Sequence, residues 1–587
     1  MRDVIVIGAG GGGPVIAKEL AERGLDVLIL EAGARNANPE EEWRHLENDA
    51  NNPVDGYFRF GPSDRSKPAW LRELPQNSFL WQVSGVGGTT LHYYGNNPRA
   101  APGVFRGYKG DDKAAYDREH EFPFSYRSFI PYYEWVEHTL PVQTAAMGTK
   151  EEVFLEAAAK MGLPLQRGKD ITRNAHRPQE NAILQPRGNA GRTGDPDKLT
   201  YPDARGCTFC GFCFQGCYEP RGAPRNLSAK RSTDTSYVPM ALTADKWRRG
   251  GKAATLVADA FVISVDTADG EARGVTWRDT NTGEETSEEA KVVVMAGGCT
   301  ENPRLWLNSG LPNPNDWVGR GYTDHHFDWF IGVLPRYTGS SKGPGSGARC
   351  DFPGHGGLEN VGLPPALQAF SATFSDAGIA GQYDNDVGLS KAGAKTLGRL
   401  VGPDLRHALR DIDRILNVLV ITDDDVEAQN RVTLSSILPA DENGPVPRVE
   451  FHQRSRSRRT RRNREYLAKK AAKLLKAAGA REIHRLAWPP LILHVQSTMR
   501  MGHDEANSVL DRGCESRAVK RLFVADNSAL PNSLGGPNPT LTTQALATRT
   551  AEKVFKRYFD GDPWVKTDTP VVSTERKVTN AVRALDL

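Results

Sequence analysis

Four of the seven cysteines stand within eleven residues, as Cys207-x-x-Cys210-x-x-Cys213-x-x-x-Cys217. Thiolates at this spacing suit an iron–sulfur cluster or zinc. Ferredoxin runs place a proline after the fourth cysteine, whereas Tyr218-Glu219-Pro220 follows here, so disulfides or free thiols stay open beside a cluster. Cys299, Cys350 and Cys514 are scattered and read as inert. A second pairing of residue types lies near the other end. His494 closes the apolar run Leu491-Ile492-Leu493, and Asn538 lies in Pro537-Asn538-Pro539-Thr540, which opens a helix running to about Tyr558. An imidazole that titrates near neutrality can take a proton from a hydroxyl. An amide can hold the oxygen on which charge then develops.

The first forty residues supply a dinucleotide cradle. Val4-Ile5-Val6-Ile7 is a buried strand, Gly8-Ala9-Gly10-Gly11-Gly12-Gly13 satisfies G-x-G-x-x-G, and Val15 to Arg23 is a helix ended by Gly24. Val27 to Leu30 is a second strand, closed by Glu31. Gly8 and Gly10 let the backbone turn and approach a pyrophosphate, and Gly13 lets helix and strand pack closely. The helix start offers open N–H groups to that pyrophosphate. Glu31 can accept both hydrogen bonds of a ribose diol, and an acid there argues against a 2′-phosphate, leaving FAD or NAD. Glu31-Ala32-Gly33 resembles the E-A-G stretch of flavoproteins, which favours FAD. A second glycine-rich turn, Gly85-Val86-Gly87-Gly88-Thr89-Thr90-Leu91-His92, can approach a flat ring or phosphates. Tyr93 to Arg99, with Asn96, is polar and aromatic, suited to a cofactor edge. Arg521 to Asp526 is a strand ending in an acid.

These motifs, in this order, resemble the glucose–methanol–choline (GMC) family of FAD oxidoreductases. The resemblance implies a Rossmann-like FAD-binding domain (α/β) interleaved with an antiparallel-sheet substrate domain (α+β). It makes His494 the catalytic base and Asn538 the second active-site residue. It makes Asp526, Pro539 and Thr540 flavin contacts, alongside Gly8, Gly10, Gly13, Glu31, Ala32, Gly85, Gly87, Gly88, Thr89, His92 and Asn96. The run Gly87 to Arg99 is similar to the pyranose oxidase-like branch, where the matching histidine bonds covalently to the flavin. His92 is therefore expected to touch the flavin, with a covalent link as the stronger form. The segment from the cysteines to Met240 is similar to the bacterial gluconate and glucose dehydrogenase flavin subunits, some of which bear a cysteine-ligated cluster near this place. The function implied is oxidation of a CH–OH group of a sugar, sugar acid or related alcohol. Electrons then pass to an external acceptor, such as a cytochrome or small partner subunit. The alternatives are an oxygen-dependent pyranose or glycoside 2- or 3-oxidase and, from another class, an electron-transfer flavoprotein subunit. His325-His326 read as structural and His503 as a surface residue.

The elements that must position these residues fill the chain between the motifs. The expected order is a first part of the FAD-binding domain at 1–100 and an insertion or lid with substrate-domain segments at 101–205. The cysteine motif and a second FAD part follow at 206–328, then the substrate-binding domain at 329–487. The last FAD part, with the catalytic residues, takes 488–560, and a tail takes 561–587. Thr255 to Val265 and Val275 to Arg278 alternate like antiparallel strands, and Val292 to Ala296 resembles the strand that returns to the FAD sheet. Val418 to Thr422 and Arg431 to Leu434 read as substrate-domain strands, and Gly339 to Gly357 as a loop over the site. Asn51 to Arg72, Arg99 to Glu119 and Arg167 to Arg205 read as surface excursions. The seven arginines in Arg454 to Arg464 read as a solvated turn and first face of the helix Glu465 to Ala478, with a docking surface for an acidic redox partner as the sharper alternative.

Composition limits the remaining choices. The chain has 587 residues, 75 Lys and Arg against 72 Asp and Glu, and a net charge of +3. That balance gives no global argument for nucleic acid or a membrane surface. No apolar run approaches the ~18 residues of a membrane helix. No secretory signal follows Met1, so the expectation is a cytoplasmic protein, or one exported with a partner subunit.

Overall fold

Val4, Ile5, Val6 and Ile7 are all buried, and they form most of the central strand Arg2–Ile7. β-Branched residues without a polar face belong in a sheet covered on both sides. Its parallel neighbours are Val27–Leu30 and Glu285–Met295. Thr255–Val257 extends the sheet past Val27–Leu30, and Leu522–Val524 pairs with Glu285–Met295. The long strand Glu285–Met295 has two roles. Residues 285–289 pair antiparallel with Glu271–Asp279, which forms a hairpin with Ala260–Ala268. Residues 290–295 join the parallel sheet. Seven strands result. This is a computed structural model, and it describes residues 1–35, 60–64, 66–75, 79–105, 116–185, 206–217, 219–220, 222–373, 402–452, 457–486 and 491–587.

The helix Gly13–Ala21 links the first two strands and is buried along its whole length. Its close seat on the sheet requires Gly13. A Cβ there would lie 2.0 Å from the Gly8 carbonyl oxygen and 3.2 Å from Val6 Cγ1. Lys18 is carried into this core, where its ammonium meets Glu19 at 2.9 Å and Glu22 at 2.7 Å. A buried charge is tolerable only with such partners.

A second sheet is antiparallel throughout. Its order is Glu482–Arg485, Asp328–Val333, Ile415–Thr422, Gly356–Val361, Ala348–Phe352 and Ala175–Pro178. Alternation along Ile415–Thr422 sorts its side chains. Val418 and Val420 pack under the helix Arg458–Ala477, with Leu467, Ala471, Leu474 and Leu475. Leu419 and Ile421 face the opposite layer, with Phe327 and Trp329 and the partly buried Trp81, Tyr94 and Phe214. Each fully buried leucine under the helix contributes about 1.5–3 kcal/mol.

Two expectations change here. The glycine-rich stretch 339–357 is not wholly a loop, because Ala348–Phe352 and Gly356–Val361 pair as strands. Its glycine at 356 meets a packing need: a Cβ there would lie 2.1 Å from the Ile421 carbonyl oxygen. The helix expected from Glu465 begins seven residues earlier, where Ser457 Oγ accepts the Thr460 N–H at 3.0 Å. Of the arginines within it, Arg458, Arg461 and Arg462 are exposed. Arg459 instead pairs with Asp423 and with Asp425 (2.7 Å), and Arg464 reaches Asp328 at 3.4 Å. Arg454 and Arg456 lie outside the described residues, as do parts of the expected excursions (51–59, 65, 106–115, 186–205) and 374–401 of the substrate segment. Among the described residues no helix is long and apolar enough to cross a membrane. Gly13→Ala should force the helix off the sheet and destabilise the protein by about 1–3 kcal/mol, read as a lowered Tm; an unchanged Tm refutes the packing argument.

Candidate active site

One cleft runs from the glycine turn to the C-terminal helix. Gly8, Gly10, Glu31, Ala32, Gly88, Thr89, His92, Asn96, His494, Asp526, Asn538, Pro539 and Thr540 all line it. Gly13, Gly85 and Gly87 do not; they shape its wall from behind. Gly85 donates its N–H to Glu31 Oε1 at 2.9 Å, and Gly33 does likewise, while Ala9 donates to Oε2 at 2.7 Å. Glu31 is thus fixed at the cleft wall, and burial raises its pKa. At the far side Asp526 accepts from Gly298 N–H (2.6 Å), Asn302 Nδ2 (2.8 Å) and Ser528 N–H (2.8 Å).

These surfaces fit a flavin dinucleotide. A Cβ on Gly10 or Gly11 would meet nothing nearer than 3.9 Å and 3.6 Å respectively, so a side chain there would occupy the cleft itself. Two helices, Gly13–Ala21 and Thr540–Tyr558, begin at the cleft without a side-chain cap, which leaves their first N–H groups for an anionic or carbonyl oxygen. Gln82 lines the cleft with its Oε1 buried and unpartnered, an acceptor facing a site with room for a donor.

The reacting end is built on a buried carboxylate. Asp324, 1% exposed, accepts N–H bonds from His325 (2.7 Å) and His494 (2.8 Å) at Oδ1 and from Leu493 (2.9 Å) at Oδ2. His494 is half-buried and faces Asn538, with Nδ2 of the amide 3.4 Å from Nε2 of the ring. Arg349 sets the amide's direction. Its Nη1 lies 3.4 Å from Asn538 Oδ1 and 3.1 Å from Glu359 Oε1, and its Nε donates to Asp351 at 2.7 Å. A guanidinium only donates, so the Asn538 oxygen faces it and the NH2 group turns to His494. Burial, then the neighbouring His325 and Arg349, hold the His494 pKa well below its ordinary value. The ring is therefore held neutral.

His92 is buried beside Trp81 and Phe214, with ring centroids 5.8 and 5.7 Å away. Burial, helped by Lys230, pushes its pKa down to about 3. Phe214 comes from the turn Cys213–Gln215, so the cysteine segment abuts the cleft. Burial, and then the neighbouring cysteines, raise the pKa of Cys207, Cys210 and Cys213. All seven cysteines are free. Among the described residues no three His, Cys, Asp or Glu side chains are placed to hold a metal ion. The expected ligand set is gathered in one segment beside the cleft.

Sequence reasoning did not single out Asp324, Arg349 or Glu359. It read His325 as structural, yet His325 Nδ1 lies 2.9 Å from His494 Nδ1. The run Thr323-Asp324-His325 held the only local hint, an acid and a histidine together. His326 fits its structural reading, with its N–H donated to Thr422 Oγ1 at 2.7 Å, and His503 is exposed as expected.

Two family models, both described as GMC oxidoreductase, match the chain, an N-terminal one over residues 174–327 and a C-terminal one over 426–547. The 2-methyl-1,2-propanediol dehydrogenase of Mycolicibacterium austroafricanum is 27% identical, covering 95% of this chain and 96% of its own. The fructose dehydrogenase large subunit of Gluconobacter japonicus is 26% identical, covering 94% and 97%. The paromamine 6'-oxidase of Streptomyces fradiae is 27% identical, covering 94% and 91%. Among solved structures, formate oxidase shares the fold with a TM-score of 0.60 at 14% identity, over 95% of this chain and 99% of its own. Pyridoxine 4-oxidase from Mesorbium loti does so at 0.57 and 16%, over 96% and 100%.

Hydrogen bonds to a charged group contribute about 1.5–3 kcal/mol each. Asp324→Ala removes three, and the expected outcome is a lower Tm together with loss of turnover; a variant of normal Tm and turnover refutes the anchoring role.

Proposed function

The chain belongs to the GMC oxidoreductase family, and from that premise we propose that it oxidises a CH–OH group of a neutral sugar or related alcohol and passes the electrons to an external acceptor. The observation that carries the reading is the pairing of His494 Nε2 with the Asn538 amide at 3.4 Å inside the glycine-lined cleft. Gly8, Gly10, Glu31, Gly88, Thr89, Asp526 and the start of Thr540–Tyr558 would hold FAD, the cofactor of this enzyme. Bound FAD supplies the acceptor for the hydride that leaves the substrate carbon. His494 takes the hydroxyl proton at Nε2. The Asn538 N–H holds the oxygen as that proton departs, already oriented by Arg349 and therefore without reorganisation. Trp81, Tyr94 and Phe214 form an apolar wall that excludes water and can stack on a sugar's C–H face. In this reading residues 1–100, 206–328 and 488–560 serve the cofactor and 329–487 the substrate.

The charges of the lining favour a neutral substrate over a sugar acid. Among the described lining residues the one arginine, Arg304, is already bound to Asp441 at 2.6 Å and Glu301 at 3.5 Å, and there is no lysine. A carboxylate would find no open cation. The similarity to a diol dehydrogenase and a fructose dehydrogenase subunit supports both the substrate class and an acceptor other than oxygen. Similarity to two Streptomyces oxidases supports the second reading, in which oxygen is the acceptor.

A panel of neutral sugars and diols, assayed with a dye or with oxygen, tests both. The expected outcome is dye-linked turnover that falls by about 10²–10⁴-fold in His494→Ala while the flavin absorbance is retained. Unaltered turnover in that variant sinks the assignment, and oxygen-linked turnover replaces the first reading with the second. The base works as the neutral ring. Because its pKa is lowered, kcat/KM should stay flat through neutrality and fall only as pH drops through that lowered value, below pH 6.5. An acid limb above pH 7 contradicts this.

The visible spectrum, with iron and acid-labile sulfide analysis, addresses His92 and the cysteines. The aromatic enclosure of His92 supports a flavin contact without a bond, so the flavin should leave the protein on denaturation. Among the described residues no three ligand side chains are placed around a common metal position, so neither iron nor sulfide is expected. Flavin retained after denaturation, or stoichiometric iron with sulfide, overturns the corresponding reading.

A further inference from the structure

His325 makes two hydrogen bonds that fix more than its own ring. Nε2 lies 2.9 Å from the Ser533 carbonyl oxygen, and Nδ1 lies 2.9 Å from His494 Nδ1. A carbonyl only accepts, so Nε2 of His325 must carry a hydrogen. His325 is 1% exposed and Ser533 is fully buried, and burial opposes a second proton on the ring; the relay takes His325 as neutral at rest, and a His325 cation in the 15N spectrum of the unaltered holoenzyme overturns it. Nδ1 of a neutral His325 with hydrogen on Nε2 is therefore a bare lone pair. The facing Nδ1 of His494 can meet it at 2.9 Å only as a donor. That leaves the lone pair of His494 on Nε2, the atom that faces Asn538.

We propose that His325 is a positioning residue that sets the tautomer of His494, relaying the direction of the Ser533 carbonyl to the base. This rests on the reading of His494 as the base. Without the relay, the isolated imidazole would divide its hydrogen between both nitrogens, and the form with hydrogen on Nε2 has no lone pair for the substrate hydroxyl. The surroundings agree with the direction of the relay. Asp324 accepts from the backbone N–H groups of both histidines. The two faces of the base are therefore gripped separately, with Nδ1 held by His325 and Nε2 approached by the Asn538 amide. The charged and titratable groups around His494 are Arg349, bound to Asp351 and Glu359, and Asp324 and His325 themselves.

The test compares His325→Phe, which keeps the ring volume and removes both nitrogens, with His325→Asn, whose amide oxygen can take the place of Nδ1 as acceptor. Each is prepared as holoenzyme, with flavin absorbance as the check that the cleft is intact. The readouts are the 15N shifts of histidine-labelled protein, which separate protonated from bare ring nitrogens, and kcat and KM measured apart. The expected result is that His325→Phe places hydrogen on Nε2 of His494 and lowers kcat by about 10–100-fold, the usual effect of losing an orienting partner, while KM moves little. His325→Asn should restore the bare Nε2 and most of kcat. If His494 keeps a bare Nε2 in His325→Phe, or if His325→Asn fails to restore it, the proposal is overturned. A switched tautomer with unaltered kcat would instead refute the base assignment of His494 and leave the relay standing, so the two failures are distinguishable.

Discussion

The reacting end depends on three peptide N–H groups converging on the Asp324 carboxylate. Two of them belong to Leu493 and His494, and the third to His325, more than 160 residues earlier in the chain. A buried carboxylate demands compensation, and here the compensation comes from backbone. Position is the gain. A backbone donor cannot swing away as a lysine side chain can, so both histidines inherit the rigidity of the segments that carry them. Glu31 uses the same device at the glycine-turn end, with three backbone donors, and Asp526 uses two backbone donors, one amide and the Ser528 hydroxyl. Three buried carboxyl groups are thus held around one cleft by donors fixed in the fold. Such a cleft has little to reorganise when charge develops inside it.

Much of the architecture was legible because it is local. Val4 to Glu31 shows strand, turn, helix and strand within reach of one another, and the order of types dictates the geometry. The strands at Val292 to Ala296 and Val418 to Thr422, and the helix from Thr540, stand out for the same reason. His494 and Asn538 were legible as a pair only through the resemblance, since nothing local says that residues 44 apart will meet.

What stayed hidden is what the register of the second sheet decides. Arg349 reaches Asn538 because Ala348–Phe352 pairs with Gly356–Val361 in one particular register, and the glycines of that hairpin looked like loop. Glycine at 356 answers to a carbonyl of the neighbouring strand, which no local pattern reveals. The cysteines stand differently. Their spacing is ligand-like, yet spacing alone does not orient sulfurs around a common centre.

The arginine-rich helix start also belongs to this chain of contacts. Arg459 holds Asp423, Asp423 accepts the Ser533 hydroxyl at 2.7 Å, and the Ser533 carbonyl meets His325. Arg459, within a stretch that reads in sequence as solvent-facing charge, is the outer end of a strut four contacts from the His494 ring. Arg459 is therefore not free to drift as a surface residue does: a substitution there would be felt along the strut before it was felt as solubility.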